Sequence, residues 1–280
     1  MKAYPITVLC KVMEVSRSCF YYYLNRCNNH IKDPYQANLE ARIKDLFDYS
    51  KDTYGSRRIA KNLHSFGYLI GRSRARSLMR KLGLKVKNTK RYKVTTDSRH
   101  SYPVAPNLLD QQFKVDTPNT VWTADITYIW TQEGWLYLAV VMDLFSRQIV
   151  GWAMDKRIKA QLVMDALTMA YWRRKPSPGL IHHSDRGSQY ACGKYQKQLE
   201  QYQMIPSMSR KGNCWDNAPT ERFFRSLKSE RLGFCRFESR KAAKAEALDY
   251  ITFYNADRIH STLGYLSPMD YEKINFLNVA

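Results

Sequence analysis

The residues best placed to do chemistry are three acids in unlike settings. Asp125 lies in Trp122-Thr-Ala-Asp-Ile-Thr-Tyr128, where period-two alternation puts Trp122, Ala124, Ile126, Tyr128 and Trp130 on one face of a strand and Thr123, Asp125 and Thr127 on the other. A mid-strand carboxylate is disfavoured by propensity and costly to bury alone. It asks for a counter-charge, for which a metal ion is one candidate; an Asp on an exposed sheet face is the competing explanation. Asp185 follows a short apolar strand in His182-His-Ser-Asp-Arg-Gly-Ser-Gln-Tyr190, at the strand end where open α/β sheets gather ligands. Glu221 comes early in a helix that Asp216 or Asn217 can cap and whose first turn accepts Pro219. On that helix Phe223, Phe224 and Leu227 form a buried stripe, while Glu221, Arg225 and Lys228 follow one another on an adjoining face. Thirty-five residues separate Asp185 from Glu221, yet with 16 Asp and 9 Glu chance alone supplies roughly half a pair at that spacing. The contexts therefore carry the weight. His182 and His183 adjoin Asp185, and tandem histidines at a strand end read as packing or hydrogen-bonding residues.

The elements that must position these acids are legible from periodicity. Residues 121–130, 135–142 and 148–154 are three β-type runs, and 160–174 carries a helical stripe through Leu162, Val163, Ala166, Leu167, Ala170 and Tyr171. A short strand at 180–184, a helix near 194–202, a strand at 205–208 and helices at about 219–231 and 239–254 complete the order βββ-α-β-α-β-α-α. That order predicts an α/β fold, a ribonuclease-H-like mixed sheet with flanking helices, and it can bring all three acids together.

Ahead of it the composition changes. Residues 1–116 hold 23 basic and 9 acidic side chains, and 117–280 hold 22 and 16, so the chain's net charge of +20 is concentrated at the front. Between Arg57 and Lys93 there are 13 Lys and Arg and no acid, too lopsided for an ordinary solvated face and suited to a polyanion. Ile59 and Leu63 mark a short helix, Gly67 to Gly71 a break, and Ala75, Leu78, Met79 and Leu82 a second helix that Ser73 can cap, which together predict a small all-α helix-turn-helix. Arg74, Arg76, Arg80 and Lys81 fall outside that second helix's apolar stripe, where a recognition helix presents donors to phosphates and base edges, and Arg72, just ahead of Ser73, is counted with them as a DNA contact. A weaker copy of the pattern, Val8 to Leu24, reads as another helix-turn-helix or as a packing or dimerisation element. Pro103, Pro106 and Pro118 break any helix after it. The expected organisation is a short helical segment at 1–32, a basic helix-turn-helix domain at 33–94, a linker at 95–117 and a core at 118–280.

Several classes drop out. The longest apolar run, Trp135 to Met142, ends at Asp143, far short of the ~20 residues that cross a bilayer. Six cysteines without a C-x-x-C pair indicate neither a disulfide framework nor a zinc knuckle, and suit a reducing cytosol. No signal peptide is read at the N-terminus.

The stretches VWTADITY, VVMDLFSRQIVGW, HHSDRGSQY, KGNCWDNAPTERFFRSLKSE and YNADRIHSTLGYLSPMDYE resemble the integrase-type core of bacterial insertion-sequence transposases, specifically their second-reading-frame (OrfB-type) proteins. The basic segment resembles the helix-turn-helix domain that precedes that core. The resemblance implies a DDE polynucleotidyl transferase with Asp125, Asp185 and Glu221 as its catalytic and metal-binding acids, and Lys228, seven residues on, as a contact to the element end. Asn217, Arg258, His260 and Tyr265 match further motif positions. Mg²⁺, with Mn²⁺ as a substitute, is the implied cofactor, and two hard ions ~4 Å apart are suited to an in-line attack on phosphorus. Also implied are DNA as partner (the element's terminal repeats and its target), a homo-oligomer on that DNA, an upstream-frame subunit or fusion, and a nucleoid-associated, cytoplasmic bacterial location without membrane contact. Two rivals stay open: a nuclease of the same fold that only hydrolyses, and a non-catalytic helix-turn-helix regulator.

Overall fold

The amphipathic pattern of the basic region resolves into a small helical unit, residues 1–86, distinct from a larger unit, residues 87–280. The computed structural model describes residues 5–28, 33–87, 102–211 and 213–277. In the first unit, α1 (Ile6–Val12) and α2 (Arg17–Asn28) are followed by α3 (Pro34–Tyr49), α4 (Ser56–Ser65) and α5 (Arg72–Lys81). α3, which the periodicity did not single out, starts where the Asp33 carboxylate accepts from the Tyr35 amide at 3.1 Å and Pro34 fits the first turn. Leu39, Ile43 and Phe47 of α3, Ile59 and Leu63 of α4, and Ala75, Leu78 and Met79 of α5 are buried. The expected cap on α5 is corrected: Gly71 is the N-cap residue, and Ser73 lies inside the first turn, where its hydroxyl cannot take that role.

In the second unit β1 (Val121–Thr131), β2 (Gly134–Asp143) and β3 (Ile149–Asp155) form an antiparallel meander. After α6 (Ala160–Arg174), β4 (Ile181–Ser184) pairs parallel to β1, and after α7 (Ser188–Ala191) and α8 (Gly193–Gln201), β5 (Ile205–Met208) pairs parallel to β4. The sheet order is β3-β2-β1-β4-β5, the expected ribonuclease-H-like layer. α6 covers one face through Leu162, Val163, Ala166, Leu167 and Ala170, against Trp122, Ala124, Ala139, Val141 and Val150. Gly151 permits that approach, since a Cβ there would stand 2.7 Å from Ala170 Cβ. α9 (Ala218–Glu230) and α10 (Arg240–Ala256) pack on the strands, and α11 (Pro268–Leu277) on α10.

Two expected features change. α7 and α11 are too short or too weakly patterned to have been read from periodicity. The stretch expected as linker is docked where it is described: the Leu108 amide donates to Ser207 Oγ at 2.9 Å, Pro106 O accepts from the Met208 amide, and Leu109 is buried. It covers the edge that β5 would otherwise expose. Residues 95–101 of that stretch, and 88–94 at the end of the expected basic domain, lie outside the described residues.

Candidate active site

Strand register brings the two aspartates together. β1 pairs with β4 from Val121↔Ile181 to Ala124↔Ser184, and the next residues along the chain are Asp125, still within β1, and Asp185, just past the end of β4. Adjacent strands lie about 4.8 Å apart, so the carboxylate within β1 and the one just past the carboxyl end of its parallel neighbour β4 stand side by side. Each is held by backbone: the Ile126 amide donates to Asp125 Oδ1 at 2.7 Å, and the Gly187 amide to Asp185 Oδ1 at 2.9 Å.

Glu221 arrives from α9, whose first turn is fastened to β1 beside Asp125. Asn217 Nδ2 donates to Ala124 O at 3.1 Å, and the hydroxyls of Thr123 and Thr220 are 2.7 Å apart. The cap expectation is corrected accordingly. Asn217 occupies the N-cap position but makes no cap bond, its amide being turned to the strand. The Asp216 carboxylate is buried and accepts from Arg210 Nη2 (2.8 Å), the Arg210 amide (2.7 Å), Asn107 Nδ2 (3.1 Å) and Gln111 Nε2 (2.9 Å).

The three acids feel one another. Burial pushes the Asp125 carboxyl well above the usual range, and the charges of Asp185 and Glu221 push it further, against the Ile126 amide and Lys228. Glu221 is also raised, by burial and Asp185 against the opposing pull of Arg225. The exposed-face explanation of Asp125 fails, because neighbours Thr123 and Thr127 on its face are buried. Among the described residues no three acid, histidine or cysteine side chains already form a cage for a single ion. The donor set nonetheless suits hard divalent cations: crowded carboxylate oxygens whose mutual repulsion a cation would relieve.

Comparison with known proteins agrees with this geometry. The "Integrase core domain" families match residues 115–214 and 221–276, and an "HTH-like domain" family matches 34–92. The chain is 44% identical over 266 residues to "Insertion element IS600 uncharacterized 31 kDa protein" of Shigella sonnei, covering 95% of this chain and 97% of that one. It is 40% identical to "Transposase InsF for insertion sequence IS3A" of Escherichia coli (strain K12), covering 97% and 95%. Against "Transposase for insertion sequence element IS904" of Lactococcus lactis the identity is 46%, over 85% of this chain and 94% of the relative. This chain belongs to the InsF-type insertion-sequence transposases. The transposase is thus an enzyme with an integrase core that acts on DNA, and a non-catalytic regulator is set aside.

Other motif positions of the transposase now have physical roles. Arg258 is buried and paired with Glu230 (Nη2 to Oε1, 2.6 Å), which also accepts from the Tyr250 hydroxyl, so the end of α9 is tied to α10 and the turn after it. His260 packs edge-on against Tyr254, and Tyr265 closes the turn by donating its amide to His260 O at 2.7 Å. The tandem histidines are packing residues, as expected. His182 Nε2 meets the Tyr195 hydroxyl at 3.1 Å and His183 meets Ser207 and Ser209; burial lowers them to about 3 and about 4.

The expected cations divide. Lys228 is half-buried with its ammonium 4.7 Å from the Tyr128 ring centre, within electrostatic reach of Asp125, and burial lowers it to about 8. Arg225 is exposed beside Glu221. On α5, Arg72, Arg76 and Arg80 are exposed, whereas Arg74 donates to Gln36 at 2.8 Å and Lys81 pairs with Glu40 at 2.7 Å. Those last two cations also tie α5 to α3, which a helical stripe could not reveal.

Sequence reasoning passed over Tyr190. Its hydroxyl is buried without a hydrogen-bond partner among the described residues, and its ionisation is pushed up by burial, Tyr195 and the charges of Asp125 and Asp185. Its place in the HHSDRGSQY stretch was the only available signal.

Proposed function

We propose that Asp125, Asp185 and Glu221 are the catalytic acids of this transposase and hold divalent ions, two Mg²⁺ with Mn²⁺ as substitute, for cleavage and strand transfer of the element's DNA ends. The observation that carries this is the mutual electrostatic contact of all three carboxylates, one in the middle of β1, one just past the end of β4 and one in the first turn of α9. When bound, such ions lower the barrier to in-line attack of a water or 3′-hydroxyl oxygen on phosphorus and stabilise the departing 3′-oxygen. The chain's own contribution is position. Backbone amides of Ile126 and Gly187 orient two carboxylates, while Asn217 and Thr220 set the third against them. Lys228, Arg225 and the α5 cations Arg72, Arg74, Arg76, Arg80 and Lys81 are assigned to DNA, the last group through a recognition helix. The same reading takes terminal repeats and target DNA as substrates, engaged by a homo-oligomer, with an upstream-frame subunit or fusion, at the nucleoid of a bacterial cytoplasm.

The test is Asp125→Asn, Asp185→Asn and Glu221→Gln, each keeping shape while removing charge. Each variant is expected to lose Mg²⁺-dependent cleavage and strand transfer of labelled terminal DNA while still binding it, and to lose the thermal stabilisation that added Mg²⁺ gives the unmutated chain. Near-normal strand transfer in any one of them removes that acid from the assignment. Cleavage without joining would favour the purely hydrolytic reading.

A further inference from the structure

β1 is paired on both sides only as far as Ala124. Beyond it, among the described residues, the next pairing on that edge is the bridge between Thr131 and Phe237. Along this edge, closed over by the segment after α9, lies a cavity of about 370 Å³ lined by Tyr128, Trp130, Lys228, Leu232, Arg236 and Phe237 among others. Its volume is that of a small-ligand site. The lining includes aromatic rings and two cations and no carboxylate, a chemistry matched by a flat ring attached to a phosphate. Trp130 is 60% exposed, an unusual place for an indole, and is braced edge-on by Trp135 at 4.8 Å, which in turn braces Tyr128 at 5.0 Å. The Tyr128 ring holds the Lys228 ammonium at the cavity wall. Tyr128 lies three residues beyond Asp125, about 10 Å along the strand, and Lys228 bridges that interval electrostatically.

We propose that this cleft receives one unpaired nucleobase of the substrate DNA, stacked on Trp130, with an adjoining phosphate held by Lys228 and Arg236. The proposal rests on the reading of the three acids, because Lys228, within electrostatic reach of Asp125, also lines the cleft. A base held aside in this cleft would keep the strand from re-pairing beside the acids, at the cost of a few kcal/mol of unstacking that the aromatic contact offsets. The stacking partner needs no sequence preference, since every base has a π-face.

The experiment uses the full chain and a duplex with a short single-stranded tail carrying 2-aminopurine. The unmutated protein should quench the probe on binding. Trp130→Ala should bind this DNA at least fivefold more weakly and without quenching, Trp130→Phe should stay within twofold, and circular dichroism should show both folded. An abasic tail should cost the unmutated protein the same factor and cost Trp130→Ala nothing further. Contacts made by the basic helical unit are common to both DNAs and cancel in that comparison. Equal affinities of Trp130→Ala and the unmutated chain for the tailed DNA, or an abasic tail bound as well as an intact one, would overturn the proposal. Asp125→Asn separates the two readings, being expected to quench the probe normally while failing in strand transfer. If Asp125→Asn transfers strands, the acid assignment falls; if it is inactive but Trp130→Ala binds the tail normally, the cleft alone falls.

Discussion

Replacing Gly187 with alanine would displace one carboxylate without altering any charge. A Cβ at this position would stand 2.9 Å from Asp185 Oδ1 and 3.1 Å from Gln189 Oε1, whereas ordinary contact begins near 3.4 Å. The backbone there is extended, with φ −61°, so alanine meets no conformational barrier and the side chains must yield. Asp185 would retreat by about 0.5 Å and strain its 2.9 Å bond from the Gly187 amide. A misplacement of about 1 Å at a reacting centre can cost roughly 100-fold, so half of that corresponds to about tenfold, or about 1.4 kcal/mol of barrier. We expect strand-transfer rates to fall 10- to 100-fold, with end binding unchanged and a stability loss under about 1 kcal/mol, since a half-exposed carboxylate can relieve the overpacking. The assay is single-turnover strand transfer on labelled ends, with urea unfolding run alongside. Gly193→Ala is the matched control, because nothing lies within 4 Å of a Cβ there, and it should remain within twofold of the unmutated rate. Full activity in Gly187→Ala would refute the claim that Asp185 must sit where its backbone holds it.

Asn217→Ala should slow strand transfer at least tenfold by loosening α9 on β1, with a stability change under about 1 kcal/mol because a buried Oδ1 with no partner among the described residues is removed along with the Ala124 bond; unfolding and rate measured together would show otherwise if both fell in step. A fragment of residues 1–86 should bind duplex DNA with steep salt dependence, and each of Arg72→Ala, Arg76→Ala and Arg80→Ala should make the slope of log affinity against log salt shallower by roughly 0.9 if it contacts one phosphate. Unchanged slopes in all three would place the DNA elsewhere. His182 and His183 are depressed from 6.5 to about 3 and about 4, so the folded state stays neutral where the unfolded chain takes up protons. Their contribution is fully present above pH 6.5 and is lost as pH falls toward 4, at up to about 1.4 kcal/mol per unit for each histidine. Urea midpoints at pH 7 and pH 5 check this, and His183→Gln should flatten the dependence.

The amino-acid order alone determined much of this protein. Alternation and helical stripes are local, so the three-strand meander, α6, β5 and the body of α9 could be read directly, as could the acids' identities within their motifs. Which acids meet was a tertiary matter. Asp143 and Asp125 both lie on central strands, but the Asp143 carboxylate is taken up by the amides of Asn119 and Phe145 and by Arg174, whereas Asp125 stands one residue beyond the β1–β4 pairing, beside Asp185. Asp216 and Asn217 had equal claims as helix caps until the fold turned one to Arg210 and the other to Ala124 O. Arg74 and Lys81 looked like their neighbours on α5 until α3 supplied Gln36 and Glu40. In each case a polar side chain chose among partners outside its own helix or strand. Periodicity records which face of an element is buried and carries no information about which donor from another element will reach it.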